Sequence, residues 1–226
     1  DMTGWKAKRF WPDATVERAG SGWQVMLDSR PVRTPSKASL DLPTRTMAEA
    51  VAAEWAAQGE DIDPLAMPVT RSANSAIDRV APQHAEVAAM LAAYAETDLL
   101  CHRAESPEAL ARRQSEAWDP LLDWAAERHG AQLIPTAGIL PLDQPAGALE
   151  RLAAAVRDLD AFRMTALHDL VTLSGSLVLG LAVADGRLAP DTGWQLSRID
   201  EDWQIEQLGE DEEAAHAAAR KHAQFR

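Results

Sequence analysis

The sequence is poor in several things that catalytic and secreted proteins commonly use. Cys101 is its one cysteine in 226 residues, so it can form neither an intramolecular disulfide nor a thiolate metal cluster. A lone thiol fits a reducing compartment. Tyrosine occurs once and phenylalanine three times, against eight tryptophans, so aromatic packing and aromatic contacts rest mainly on indoles. Bases are also scarce: 22 Lys and Arg face 35 Asp and Glu, for a formal charge of −13. That balance excludes a general nucleic-acid face, which must neutralise phosphates, and it disfavours an anionic membrane surface. A basic or amphiphilic protein partner remains open to it.

Long apolar runs are missing too. The longest, LVTLSGSLVLGLAVA at residues 170–184, has 15 residues, short of the roughly 20 that cross a bilayer. It reads as a helix buried on all sides of a core, with Gly175, Ser176, Gly180 and Ala184 allowing close helix approach. The opening DMTGWKAKRFW has bases but no apolar stretch behind them, so no secretory signal is read there. Phosphate-cradling glycine loops are absent as well. GSG at 20–22 links two predicted strands and opens no helix.

With 46% hydrophobic residues the chain can bury a substantial core. TVERA (15–19) and WQVML (23–27) predict a hairpin across the glycine turn, followed by short edge strands in PVRTP and SLDLP, punctuated by prolines. Residues 1–40 hold seven bases against four acids. After Pro43 the period changes to helical: Thr44 can cap a helix with Met47, Val51 and Trp55 on one face, stopping at Gly59. EDIDPLAMP predicts a domain boundary, giving a β-rich domain at 1–62 with one helix and an α-helical domain at 63–226. Helices are predicted near 69–80, 83–97, 107–129, 146–160, 163–184, 191–208 and 211–224. Ser106 with Pro107 opens one, Asp191 and Asp211 are candidate caps, and Gly130, Gly186 and Gly209 are candidate stops. The fold class is α+β.

Catalytic pairings are weak. Cys101-His102 could make a low-pKa thiol, but neighbours in regular structure point apart, and a packed, inert thiol is the simpler reading. His168-Asp169 and His84/Glu86 lack metal-ligand spacing and read as surface or capping groups. Trp118 and Trp124 in WDPLLDW, with Leu121 and Leu122, read as core.

The strongest local feature is SRIDEDWQIEQLGEDEE at 197–213. Asp200, Glu201, Asp202, Glu206, Glu210, Asp211, Glu212 and Glu213 surround Trp203, with no Lys or Arg between Asp200 and Glu213. Like charges four apart cost a helix a few tenths of a kcal/mol per pair. On a helix spanning 191–208, Asp200 to Glu206 lie past the first turn, where the macrodipole would have rewarded them. Two readings stand. One is a solvated face; the other is a docking face whose acids meet a partner's Lys or Arg while Trp203 anchors. A competing enzymatic reading is a small acidic hydrolase using Glu201 and Glu206 with a divalent ion.

Several segments together resemble one family. EWAAQGEDIDPLAMPVTRSANSAID (54–78), AETDLLCHRAESP (95–107), QSEAWDPLLDW (114–124) and SRIDEDWQIEQLG (197–209) are similar, in order, to motifs of the ATP synthase assembly chaperones that act on the α subunit of the catalytic head. Leu208 departs from the pattern, standing where eukaryotic relatives carry Trp. The resemblance implies a non-enzymatic chaperone without nucleotide or other cofactor. It would hold the unassembled α subunit of the F-type ATP synthase and release it to the β subunit. It also implies a β-rich N-terminal part before a helical part. The family's acidic motif falls on Asp200, Glu201, Asp202, Trp203 and Gln204, with Glu201 at its centre; these and Glu206 are the expected partner-binding residues. The expected setting is a bacterial cytoplasm, or the mitochondrial matrix in a eukaryote, without membrane insertion.

Overall fold

A computed structural model describes residues 7–208 and 212–225, with side chains in the second stretch from His216 onward. The expected stop at Gly209, the cap at Asp211 and the acid Glu210 lie outside the described residues, as do the side chains of Glu212 and Glu213. The chain divides into two compact units, Asp1–Gln83 and His84–Arg226.

The first unit is built on the predicted hairpin. Strands β1 (Ala14–Ala19) and β2 (Gly22–Leu27) pair antiparallel, and short β3 (Arg30–Pro31) joins the outer side of β2. Gly20 turns the hairpin at φ +58, a region closed to most side-chain-bearing residues. The later prolines keep the remaining pairing to single bridges, Arg33 with Ser39 and Trp23 with Leu42. Helix α1 (Arg45–Ala56) covers the sheet. Thr44 caps it by accepting the Met47 N–H, and its buried stripe is Ala48, Val51 and Ala52, with Met47 and Trp55 half-buried beside it. The helix ends at Ala56, before Gly59.

The proline-punctuated stretch does not separate the units as expected after residue 62. Residues on either side of it are tied into the first unit. Arg9 N–H donates to the Glu60 carbonyl and Ile62 N–H to the Ala7 carbonyl. The Glu54 carboxylate then accepts from Val69 N, Thr70 N and Thr70 Oγ1, satisfying the start of α2 (Pro68–Ser75). The predicted 69–80 helix changes to a wider turn over Ala76–Val80. Asp78 closes this unit by accepting from Thr34 Oγ1 at 2.7 Å and Ser36 N at 3.1 Å.

The second unit is mostly helical: α3 (His84–Ala92), α4 (Glu108–His129), α5 (Ala146–Arg157), α6 (Ala161–Ser174), α7 (Leu177–Ala184), α8 (Pro190–Ser197), α9 (Ile199–Leu208) and α10 (Glu212–Phe225). A two-residue parallel ladder, β4 (His102–Arg103) with β5 (Thr136–Ala137), interrupts them. Pro107 is itself the N-cap of α4, so Ser106 stands outside the helix and does not cap it. Likewise α8 starts at Pro190 behind the N-cap Ala189, placing Asp191 in the first turn. Gly130 ends α4 in the left-handed region at φ +66.

Two predicted helices are each broken in two. The 163–184 helix breaks at Gly175, which is left-handed at φ +79. Ser176 then caps α7 through the Leu179 N–H. Every residue from Leu177 to Ala182 is buried, so the start of α7 cannot be satisfied by water. Asp98, itself 0% exposed, supplies the acceptor: it takes Ser176 Oγ at 2.6 Å, Val178 N at 3.0 Å and Leu100 N at 3.0 Å. Gly180 lets α6 and α7 touch, because a Cβ there would sit 2.8 Å from Val171 Cγ2. No helix among the described residues is long and apolar enough to cross a membrane.

Candidate functional site

The second break, at Arg198, places the acidic stretch. In a continuous helix the Leu196 carbonyl would accept from Asp200 N–H. Here it accepts instead from the Trp118 indole Nε1 at 2.8 Å. Trp118 is fully buried in α4, so this bond is fixed by the core. Ser197 Oγ donates to the Trp194 carbonyl at 2.6 Å, a second local competitor for the ladder. Arg198 leaves helical geometry, and its carbonyl accepts the Asp202 N–H as α9 begins.

The break changes the electrostatics. Asp200, Glu201 and Asp202 occupy the first turn of α9, where unpaired N–H groups and the macrodipole favour negative charge. The expectation that these acids lie past the first turn, at an uncompensated local cost, is therefore corrected.

The six predicted residues do not act alike. Asp200 is half-buried and accepts from Gln114 Nε2 at 2.7 Å; Gln114, 2% exposed, also takes the Ala104 N–H on its Oε1 at 2.8 Å. Asp200 therefore pins α9 to α4. Glu206 is held by Arg113 of α4, with both guanidinium nitrogens 3.1 Å from its two carboxylate oxygens. The same guanidinium lies 4.9 Å from the Trp203 ring centroid, a cation–π contact that covers one face of the half-buried indole. Hydrogen bonding to Glu206, with the Glu206 and Asp202 charges, pushes the Arg113 pKa further up.

Glu201, Asp202 and Gln204 are exposed. Glu201 makes a long contact, 3.9 Å, to Arg198 Nη1. Asp202 edges a shallow groove of about 180 Å³ bounded by Trp194, Arg198, Ala218 and His222. His222 stacks flat on Trp194 at 5.5 Å and reaches Asp191 Oδ1 at 2.7 Å, which joins α10 to α8. Leu208, at the end of α9, is 85% exposed.

Sequence reasoning missed Arg113, Gln114 and Asp98. Gln114 opens the QSEAWDPLLDW segment and Asp98 lies in AETDLLCHRAESP, so both fell inside the quoted motifs; Arg113 had no such mark. The Glu201 and Glu206 pair is not assembled. Five residues on a helix separate the two by about 140° around the axis, and Arg113 already holds Glu206. Among the described residues no cluster of three or more His, Cys, Asp or Glu is arranged to hold a metal ion.

The other candidates also resolve. Cys101 is buried, and burial, with the Asp98 charge, pushes its thiol up to about 12, which leaves it protonated and inert. His102 turns away to the Thr97 carbonyl at 3.1 Å. His84 meets the Leu159 carbonyl at 2.6 Å, and His168 meets Asp169 at 3.2 Å on an exposed face. Trp118, Leu121 and Leu122 are core as read, and Trp124 is half-buried.

Comparison with known proteins bears on the family and the fold. A family model described as ATP12 chaperone protein matches residues 8–126. The crystal structure of Atp12 from Paracoccus denitrificans is 55% identical, covering 97% of this chain and 94% of that one at a TM-score of 0.94. The structure of its D202K mutant matches at the same identity and coverage with a TM-score of 0.95. Atu1473 from Agrobacterium tumefaciens is 40% identical, covering 96% of this chain and 84% of that one, at 0.87. The chain therefore belongs to the ATP12 chaperone family, whose members are assembly chaperones of the ATP synthase.

Proposed function

We propose that this chaperone binds the unassembled α subunit of the F-type ATP synthase through the exposed face of α9. It would shield the interface of the α subunit until the β subunit replaces it. The observation that carries the reading is the disposition of Glu201 and Asp202. Both carboxylates stand exposed beside Trp203, on a helix whose flanking acids, Asp200 and Glu206, are fixed to α4 by Gln114 and Arg113. The inner acids and Arg113 thus hold the platform, and the outer acids with Gln204 present charge to a partner's Lys or Arg.

This division suits a chaperone. An orphan subunit exposes apolar surface meant for a neighbour, and such patches aggregate. The covering protein must still let go, so a polar-rimmed contact steered by charge serves better than an extensive apolar one. Binding would involve no nucleotide or cofactor. The setting we favour is the bacterial cytoplasm, in keeping with the bacterial relatives, or the mitochondrial matrix in a eukaryote.

The test is co-expression with an α subunit that lacks its β partner. The chain should keep the α subunit soluble and co-purify with it, and Glu201→Lys with Asp202→Lys should abolish capture while lowering the melting temperature only modestly, by the loss of favourable charge at the start of α9. Unchanged capture by that double variant would remove the acidic face from the interface.

A further inference from the structure

The second unit carries an apolar tip that its own core does not use. After β5 the chain runs out through residues 138–145 before α5 begins. Ile139 is 99% exposed and Leu140 80%, with Leu142 at 43% and Ile134 at 42%. Two consecutive branched aliphatics left in water gain nothing for the fold, and clustered apolar exposure marks contact sites.

The base of this tip is built. The Gln144 amide closes it on one backbone residue: Oε1 accepts from Ile134 N at 2.8 Å and Nε2 donates to Ile134 O at 2.9 Å. Gly138 N donates to Arg103 O at 3.2 Å, carrying the β4–β5 ladder one residue further. Gly138 lies at φ +85, a backbone region that side-chain-bearing residues rarely adopt, so glycine suits the turn. Leu133 beneath is 1% exposed and anchors the segment, while Pro135, Pro141 and Pro145 restrict the rest of the chain. Such a tip loses little further conformational entropy on binding.

We infer that Ile139, Leu140 and Leu142 form an apolar anchor that inserts into the exposed intersubunit surface of the unassembled α subunit. This rests on the reading given above and adds a contact carried by different residues from the acidic face of α9. Charge selects the occupant. Exposed Glu105 and Asp143 flank the tip on a chain of net charge −13, which opposes anionic headgroups. The same carboxylates suit an apolar patch rimmed by Lys or Arg.

The test compares the full chain with a variant carrying Ile139→Ser and Leu140→Ser, titrated against α subunit produced without its β partner. The expected result is an unchanged melting temperature and a Kd weakened by at least about tenfold. An unchanged Kd overturns the anchor and leaves the α-subunit reading standing. Failure of the wild-type chain to capture α subunit overturns that reading and the anchor with it. Two controls exclude other occupants. Co-sedimentation of the wild type with vesicles of equal parts phosphatidylcholine and phosphatidylglycerol, lost in the variant, would assign the tip to a membrane. Self-association lost in the variant would assign it to a second copy. Either outcome overturns the proposal.

Discussion

Arg113 and Trp203 meet face on, guanidinium carbon to ring centroid 4.9 Å, although one lies on α4 and the other on α9. The same guanidinium grips Glu206 with two bonds of 3.1 Å. An arginine from the core-facing helix thus orders both the indole and one acid of the candidate partner face. Glu201 and Asp202 stay exposed and outside its hydrogen bonds.

Removing that arginine should loosen the platform more than the fold. Arg113→Ala should leave the melting temperature nearly unchanged, because exposed ion pairs contribute little to stability. It should shift the Trp203 emission to the red and speed dissociation of the α subunit. The emission is isolated by subtracting the spectrum of Trp203→Phe. Arg113→Lys should recover little, since an ammonium cannot reproduce the paired bonds and the planar stack together.

Asp98 should be the most sensitive polar position in the second unit. Asp98→Ala leaves the Ser176 hydroxyl and the Leu100 and Val178 N–H groups without their buried acceptor. The expected loss is roughly 3 kcal/mol, read by urea unfolding at neutral pH. Asp98→Asn keeps the shape but brings amide donors to a site already supplied with donors, so it too should destabilise.

Cys101 should be silent in the native state. With its thiol pushed up to about 12 by burial, iodoacetamide at mildly alkaline pH should label it only as fast as the unit opens. Rapid labelling of the folded chain would contradict the burial.

Asp78 should contribute to acid sensitivity of the first unit. The Thr34 hydroxyl bond, supported by Ser36, holds its carboxyl below the ordinary range. The unfolded chain then binds the proton more readily, so the contribution is complete above the unfolded pKa of about 3.9 and lost as pH falls through the folded value. Thr34→Val should flatten that acid limb in melting temperature measured against pH.

The sequence by itself determined the elements whose signals are local. Gly20 between two alternating runs specified the hairpin, Thr44 specified the start of α1, and Gly130 specified the end of α4. Each works through turn chemistry or capping within a few residues, so neighbouring letters suffice to read it. The crowd of acids about Trp203 was equally legible. Only the tertiary structure decided where the long helices break and which acids α4 holds. The breaks at Gly175 and Arg198 answer to Asp98 and Trp118, whose bonds to Ser176 and Leu196 each span 78 residues of sequence. Glu206 answers to Arg113 across 93 residues. A buried carbonyl or N–H takes whichever partner the core brings to it, and helical periodicity carries no information about that partner.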